Sequence, residues 1–196
     1  MWIIAIIFCL ISYLFGSIPT GYWMGLMVKK IDIRTQGSKN IGATNVFRVL
    51  GRRYGILVLV LDILKGVIPV IIARIYFSHE FQVVWILVGL AAICGHTWTV
   101  FLGFKGGKGV ATSLGVFLGL APIPVLIVLP VFIIIFYTTR FVSLGSIISS
   151  LLLPPLVWIF TQSIPLLIFC ITMAVLIIIR HIPNIKRLIR GEENKL

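Results

Sequence analysis

The sequence predicts an all-α integral membrane protein, and composition, hydropathy and the spacing of charges lead to this fold class. Of its 196 residues, 60% are hydrophobic and 11% are charged, whereas soluble domains have roughly 45–50% apolar and about 25% charged residues. The mean hydropathy is +1.16. Several uncharged stretches are long enough to cross a ~30 Å hydrocarbon core as helices. The bilayer is therefore the expected solvent of this chain.

The first predicted span covers Trp2 to Val28, a stretch without Asp, Glu, Lys, Arg or His. A cleaved signal peptide begins with a positively charged region, and none precedes this stretch, so we expect the span to be retained. Its first basic residues, Lys29 and Lys30, follow it. Because basic residues gather on the cytoplasmic side, the N-terminus is expected outside.

Three further apolar stretches are each expected to form a helical hairpin. They lie between Arg53 and Lys105, between Lys108 and Arg140, and between Arg140 and Arg180, with breaks at 78–82, at Pro122 and Pro124, and at 161–163. Each stretch is bounded by basic residues, so each should leave the cytoplasm and return. About seven transmembrane helices and a cytoplasmic C-terminus result, in a single polytopic domain over 1–196. The stretch from Gly109 to Thr139 is short for two full crossings.

This topology places every Lys and Arg except Lys65 and Arg74 on the cytoplasmic face. The net charge of +12 then follows from the positive-inside bias. We prefer this interpretation to nucleic-acid binding, because no soluble basic domain is present to hold a duplex. The three cysteines lie in apolar segments without metal-ligand spacing and are interpreted as buried hydrophobic residues. No metal or cofactor is expected.

The first cytoplasmic segment, about 34–53, mixes glycines with small polar side chains in Gly37-Ser38-Lys39-Asn40-Ile41-Gly42-Ala43-Thr44-Asn45-Val46-Phe47-Arg48. Glycine lets backbone amides turn towards an anion, and Ser, Thr and Asn add donors. A loop that only sets topology needs just Lys or Arg. We therefore prefer a ligand-binding loop to an ordinary capped turn. Its candidates for phosphate binding are Gly37, Asn40, Thr44 and Asn45.

The second segment, about 95–112, contains Gly95-His96 and then Gly103-Phe104-Lys105-Gly106-Gly107-Lys108-Gly109-Val110-Ala111-Thr112. Glycines and lysines before a helix N-terminus bring amides, the positive helix end and ammonium groups to one phosphate. This is not a Walker A loop, because Gly109 stands where Ser or Thr would bind magnesium. The alternative is a flexible linker with topogenic lysines. The candidates are Gly103, Lys105, Gly106, Gly107, Lys108 and Gly109.

The third segment, about 181–193, is weak evidence by itself, since a basic tail after a last span commonly binds lipid headgroups. His181 and Asn184 are three residues apart and would share a helix face if the helix continued past Pro183. A single histidine is more often structural than catalytic.

In order and spacing, these segments resemble the three cytoplasmic motifs of the bacterial acyl-phosphate:glycerol-3-phosphate acyltransferase family. The most specific matches are Gly37-Ser38-x-Asn40-x-Gly42-Ala43-Thr44-Asn45-x-x-Arg48, the run Gly103 to Thr112, and His181-x-x-Asn184-x-x-Arg187-Leu188-x-x-Gly191-x-Glu193. The resemblance covers essentially the whole chain. No Asp stands five residues after any histidine, so the H-x-x-x-x-D signature of other glycerolipid acyltransferases is absent, as in this family.

The resemblance implies an enzyme that moves a fatty acyl group from acyl phosphate to the 1-hydroxyl of glycerol 3-phosphate. The products are lysophosphatidic acid and phosphate, in the first acylation step of bacterial phospholipid synthesis. It further implies a multi-pass protein of the inner membrane that acts as a monomer. The active site faces the cytoplasm, and neither nucleic acid nor a cofactor takes part.

By the same resemblance, five residues line the phosphate pocket: Ser38, Arg48, Lys108, His181 and Asn184. Arg48 is suited to bidentate phosphate binding and Lys108 to a point charge. The glycines of the second segment would present amides to a phosphate or a developing oxyanion. Either His181 or a substrate phosphate accepts the hydroxyl proton, and we slightly favour the substrate.

Four residues outside this pocket are interpreted as structural. Asp62 and Lys65 lie in an apolar span, where ionisable residues are functional candidates, but their spacing permits a mutual ion pair. Glu193 is expected to anchor a basic neighbour and hold the tail. His96 is expected to shape the second segment.

Two rival functions are less consistent with the sequence than the enzyme. A small transporter of organic anions would place substrate groups near the bilayer midplane, on broken helices related by an internal repeat. Here the basic and glycine-rich residues lie at the ends of spans, and no repeat is visible. A scaffold that binds anionic lipids would not need the Gly, Ser and Asn pattern.

Overall fold

The computed structural model describes residues 1–196 and is built from nine α-helices with three short 3₁₀ turns. The chain divides into two compact units, Met1–Leu120 and Ala121–Leu196. The all-α membrane fold class is thus confirmed. The single-domain organisation, the count of seven spans and the sides of the two termini stay predictions.

The first unit contains six helices: α1 Trp2–Ser17, α2 Thr20–Lys29, α3 Ala43–Leu50, α4 Arg52–Tyr76, α5 Gln82–Thr97 and α6 Val110–Leu120. The first predicted span is therefore interrupted at Ile18 and Pro19. Proline disfavours the helical conformation of the residue before it and has no amide of its own to donate. The break matters for the site, because the Ile18 carbonyl at this break accepts a hydrogen bond from Lys65 (3.0 Å).

Glycines let the helices of the first unit approach along their backbones. A Cβ placed on Gly16 of α1 would lie 2.2 Å from the Ala92 carbonyl oxygen of α5, and one on Gly66 of α4 would lie 2.2 Å from the Thr112 carbonyl oxygen of α6. Close packing of small residues is what associates helices in lipid, where no hydrophobic effect acts between them. These contacts pack α1 against α5 and α4 against α6, and α5 and α6 are the helices on either side of the second segment.

The second unit contains α7 Pro122–Thr139, α8 Val142–Thr161 and α9 Ile164–Ile189. The predicted breaks are confirmed: Pro122 opens α7, and Gln162 ends α8 in the left-handed conformation. Helix α9 continues through Pro183 for 26 residues. It therefore carries His181 and Asn184 on one face, and both side chains are buried.

Six segments are long and apolar enough to cross a membrane: Trp2–Lys29, Arg52–Tyr76, His79–Leu102, Pro122–Thr139, Val142–Thr161 and Ile164–Ile189. The remaining apolar helix, α6, has 11 residues and rises only about 17 Å, less than the ~30 Å of a hydrocarbon core. The stretch from Gly109 to Thr139 is thus too short for two full crossings, as predicted, because α6 is a short helix.

Candidate active site

Asn45 holds the first segment in shape. Its Nδ2 donates to the carbonyl oxygens of Ile33 (3.0 Å), Gln36 (3.0 Å) and Asn40 (2.8 Å), and its Oδ1 accepts from the Ser38 amide (2.7 Å). The residue is only 1% exposed. Both ends of the side-chain amide are thus occupied by the loop itself. Asn45 serves the conformation of the segment, a role that its sequence pattern did not reveal.

The neighbours of Asn45 complete this loop. Gly37 has φ +55°, and a Cβ there would lie 2.4 Å from Asn45 Oδ1, so no other residue fits. The Asn40 side chain accepts from the Gly42 amide (2.9 Å), just before α3 begins. The result is a fixed backbone that leaves Ser38 exposed at its tip.

Arg48 is carried by the short helix α3, which is tied down at both flanks. Lys29 Nζ donates to the Val49 carbonyl (2.8 Å) near the end of α3, where the last carbonyls of a helix need donors. A Cβ on Gly55 of α4 would lie 2.5 Å from Phe47 Cβ, so α3 packs directly on α4. The half-buried Arg48 thereby receives a defined position on the same segment as Ser38.

The second segment rests on the end of α5. The Gly106 amide donates to the Thr97 carbonyl (3.1 Å) and the Gly107 amide to the His96 carbonyl (3.0 Å). A Cβ on Gly107 would lie 2.1 Å from His96 Nε2. These glycines are required for close packing. Their amides donate within the protein, and phosphate binding by this segment stays a prediction.

Two other glycines of this segment set its turns. Gly103 has φ +61° and Gly109 has φ +82°, conformations that other residues rarely adopt. The Gly103 amide also donates to a carbonyl, that of Val100 (3.4 Å). Gly109 directly precedes α6, and its carbonyl accepts from the Ser113 amide (2.7 Å). Lys105 is exposed and Lys108 half-buried, so the side chains and the start of α6 remain the candidates for phosphate binding.

A buried polar cluster lies beside this segment. Lys65 Nζ and Asp62 Oδ1 are 2.9 Å apart, with side chains 3% and 1% exposed, so the ion pair that the spacing permits is present. Asp62 Oδ1 also accepts from Thr20 Oγ1 (2.6 Å) and lies 3.9 Å from His96 Nδ1. The sequence did not reveal Thr20 as a partner, because it belongs to a different helix.

In the second unit, α9 presents His181 and Asn184. His181 Nδ1 lies 2.8 Å from the Ile177 carbonyl oxygen. A carbonyl only accepts, so Nδ1 carries the hydrogen, and in the neutral ring the lone pair is on Nε2. Asn184 Nδ2 donates to Glu193 Oε1 (2.6 Å). These contacts of His181 Nδ1 and Asn184 Nδ2 therefore fix the orientation of both side chains.

Glu193 joins the C-terminal tail to two helices of this unit. Its Oε1 also accepts from Ser143 Oγ (2.9 Å), and its Oε2 accepts from Arg187 Nε (2.8 Å). Burial raises the pKa of Glu193, but the hydrogen bonds from Asn184, Arg187 and Ser143 and the charge of Arg187 outweigh this effect, so the pKa is below its ordinary value. The carboxylate is thus ionised at neutral pH. Ser143, fifty residues earlier in the chain, carried no signal in the sequence.

Comparisons with known proteins extend over nearly the whole chain. The family described as glycerol-3-phosphate acyltransferase matches residues 6–191. A glycerol-3-phosphate acyltransferase of Fusobacterium nucleatum is 46% identical over 191 residues, which cover 96% of both chains. One of Geobacter sulfurreducens is 50% identical over 187 residues, which cover 94% of both chains.

A solved structure shares the fold. It is the crystal structure of PlsY (YgiH), an integral membrane glycerol 3-phosphate acyltransferase, in its glycerol 3-phosphate form. The TM-score is 0.90 at 41% identity, with 98% of this chain and 95% of that chain covered. The lysophosphatidic acid form of that protein matches equally well.

Proposed function

This chain belongs to the glycerol-3-phosphate acyltransferase family and is an acyltransferase, and we propose that its donor is acyl phosphate and its acceptor the 1-hydroxyl of glycerol 3-phosphate. The observation that carries the proposal is the match over 98% of the chain to an enzyme with a glycerol 3-phosphate form and a lysophosphatidic acid form. Lysophosphatidic acid is glycerol 3-phosphate with one acyl group added, so the two forms are those of an acceptor and its product.

The proposed reaction is a single acyl transfer. The hydroxyl oxygen of glycerol 3-phosphate attacks the acyl carbon, a C–O ester bond forms, and the bond from that carbon to the phosphate oxygen breaks. Inorganic phosphate leaves. Acyl phosphate is a mixed anhydride with a good leaving group, so the protein mainly has to hold two phosphate-bearing molecules together and stabilise the oxyanion.

Ser38, Arg48 and Lys108 are proposed to bind the phosphate groups. Arg48 supplies a planar fork of donors and Lys108 a compact charge, both matched to phosphate oxygens. Their setting supports this role. Arg48 and Lys108 are half-buried on segments held by internal hydrogen bonds, so little order has to be imposed when an anion binds.

His181 and Asn184 are proposed to handle the acceptor hydroxyl. With Nδ1 committed to Ile177, the neutral ring accepts a proton only at Nε2. The alternative acceptor is an oxygen of a substrate phosphate, with His181 and Asn184 orienting the substrate, and we favour this route. If His181→Ala retains most of the wild-type maximal rate, the histidine is excluded as the base.

The proposed setting is the inner membrane of a bacterium, with a monomeric enzyme whose active site faces the cytoplasm. The long acyl chain of the donor stays in lipid while the headgroup meets soluble glycerol 3-phosphate. Exposed basic residues at the ends of α2 and α4, such as Lys29 and Arg52, support this orientation through the positive-inside bias.

The function is tested with purified protein in lipid, acyl phosphate and glycerol 3-phosphate, by measuring phosphate release and lysophosphatidic acid together. Equimolar formation of both is expected. Acyl-CoA in place of acyl phosphate is the matched donor control and is expected to give no product. Folded protein that releases no phosphate and forms no lysophosphatidic acid would contradict the proposal.

A further inference from the structure

We propose that the buried pair Asp62–Lys65 acts through His96 as a positioning device for the loop that carries Lys108. The structure assigns the three residues a place between the helix break at Ile18 and the loop 103–109. The catalytic meaning of this inference rests on the proposed function, but the geometry of the loop is measurable without it.

The cluster is closed off from solvent. Asp62, Lys65 and His96 are 1%, 3% and 4% exposed. Asp62 Oδ1 accepts from Lys65 and from Thr20, and Lys65 also donates to the Ile18 carbonyl. Opposite charges deep in a membrane helix are costly, and apolar residues of similar size often stabilise a protein as well as a buried pair does. A buried pair at this position therefore suggests a role besides stability.

The imidazole of His96 lies between the carboxylate and the loop. On one edge, its Nδ1 lies 3.9 Å from Asp62 Oδ1. On the other edge, its Nε2 would be 2.1 Å from a Cβ on Gly107, so the ring sits directly against the Gly107 backbone. The width of the ring therefore sets the distance between Asp62 on α4 and the Gly107 backbone of the loop.

The main chain of α5 also holds this loop in place, through two hydrogen bonds. The Gly107 amide donates to the His96 carbonyl (3.0 Å) and the Gly106 amide to the Thr97 carbonyl (3.1 Å). Lys108 follows immediately. Any rotation or shift of His96 is therefore transmitted to the backbone that carries the Lys108 side chain. A misplacement of about 1 Å at a reacting group costs up to about a hundredfold in rate.

The competing interpretation is that Asp62–Lys65 only stabilises the helix bundle. It differs in one respect: a purely structural pair leaves the loop unchanged as long as the protein is folded. The test therefore uses Asp62→Asn combined with Lys65→Met, which removes both charges and leaves no unpaired ion. Arg74→Met is the matched control, because it also removes a charge from α4 but at a residue that bonds to Gly119, away from the loop.

The measurement is hydrogen–deuterium exchange of the Gly106 and Gly107 amides in the purified full chain, with thermal unfolding as the test of folding. In the double variant we expect both amides to exchange about tenfold faster, at an unchanged unfolding temperature. His96→Gln, which keeps a polar side chain but removes the ring, should do the same. Arg74→Met should leave the exchange at the wild-type rate.

Two results overturn the inference: wild-type exchange of both amides in the folded double variant, or, where that variant does not fold, wild-type exchange in His96→Gln.

Kinetics separate the inference from the proposed function. An active wild type should lose about tenfold in kcat/KM in the double variant, with little further loss on adding Gly107→Ala, which displaces the same loop. A wild type without acyl transfer but with loop-specific exchange changes would refute the function and leave the positioning role standing.

Discussion

Two buried carboxylates, Asp62 in the first unit and Glu193 in the second, accept from similar donors, but their basic partners differ in exposure. Each accepts from a hydroxyl and from a basic side chain: Thr20 and Lys65 for Asp62, Ser143 and Arg187 for Glu193. The side chain of Lys65 is 3% exposed, however, while that of Arg187 is 35% exposed. An acid inside a membrane span needs a buried cation, whereas an acid on a tail can use one that reaches water.

The difference predicts what each region does when its acid is lost. Lys65 would be left as a buried charge with only the Ile18 carbonyl and no counter-ion. Arg187 would turn to solvent at little cost, and the damage would fall on Asn184, which loses its acceptor. The first carboxylate should therefore matter mainly for folding and loop position, the second mainly for the orientation of one site residue.

Removal of Asp62 alone should have the largest effect. Asp62→Ala leaves Lys65 without its counter-ion, and breaking a buried pair on one side costs about 3–5 kcal/mol. The measurement is the yield of folded protein and its thermal unfolding in detergent. Asp62→Ala combined with Lys65→Met should recover most of the loss. Equal stability of the single and double variants would show that the pair does not set the stability of this region.

Removal of a charge that is proposed to bind phosphate should have the next largest effect, and it should affect activity without affecting folding. Lys108→Ala and Arg48→Ala are each expected to lower kcat/KM by at least about tenfold, since a hydrogen bond to a charged group is worth about 1.5–3 kcal/mol. Steady-state kinetics with both substrates provide the measurement. Lys105→Ala removes an exposed lysine from the loop that carries Lys108. It shows how much of the loss in kcat/KM on Lys108→Ala comes from the charge of that loop alone. Near-normal kcat/KM in either variant would remove that residue from the site.

The sequence predicts the local features of this fold well. The helix breaks at Pro122 and at 161–163 are confirmed because proline and small polar residues act on the chain beside them. The break at Pro19 was missed, because uniform hydropathy concealed it. Contacts between distant residues were also missed: Ser143 with Glu193, and Thr20 with Asp62. Such pairings depend on how helices pack, which composition and spacing do not reveal.

Replacement of Glu193 should have a smaller effect than either change in the first unit. In Glu193→Gln the amide group keeps one acceptor oxygen but loses the charge, so Arg187 and Asn184 are held less firmly. Because Asn184 is oriented less firmly, we expect a loss of about 1 kcal/mol of transition-state stabilisation, seen as a severalfold lower kcat with folding retained. Arg187→Ala is the control, and it should cost less, because its side chain is partly exposed. A larger loss of kcat in Arg187→Ala than in Glu193→Gln would show that the Arg187–Glu193 ion pair, rather than the hydrogen bond to Asn184, holds the tail.

The smallest expected effect is the pH dependence of the tail. The pKa of Glu193 is lowered in the folded protein, so its contribution is fully present above the unfolded pKa of about 4.3 and is lost as the pH falls through the folded pKa. Because Arg187 is partly exposed and screened, the contribution should stay below about 1 kcal/mol. Thermal unfolding of wild type and Glu193→Gln from neutral pH into the acid range measures it. The two curves should differ at neutral pH and converge in acid, and a constant difference would mean that neutral hydrogen bonds, rather than the charge, hold the tail on Asn184.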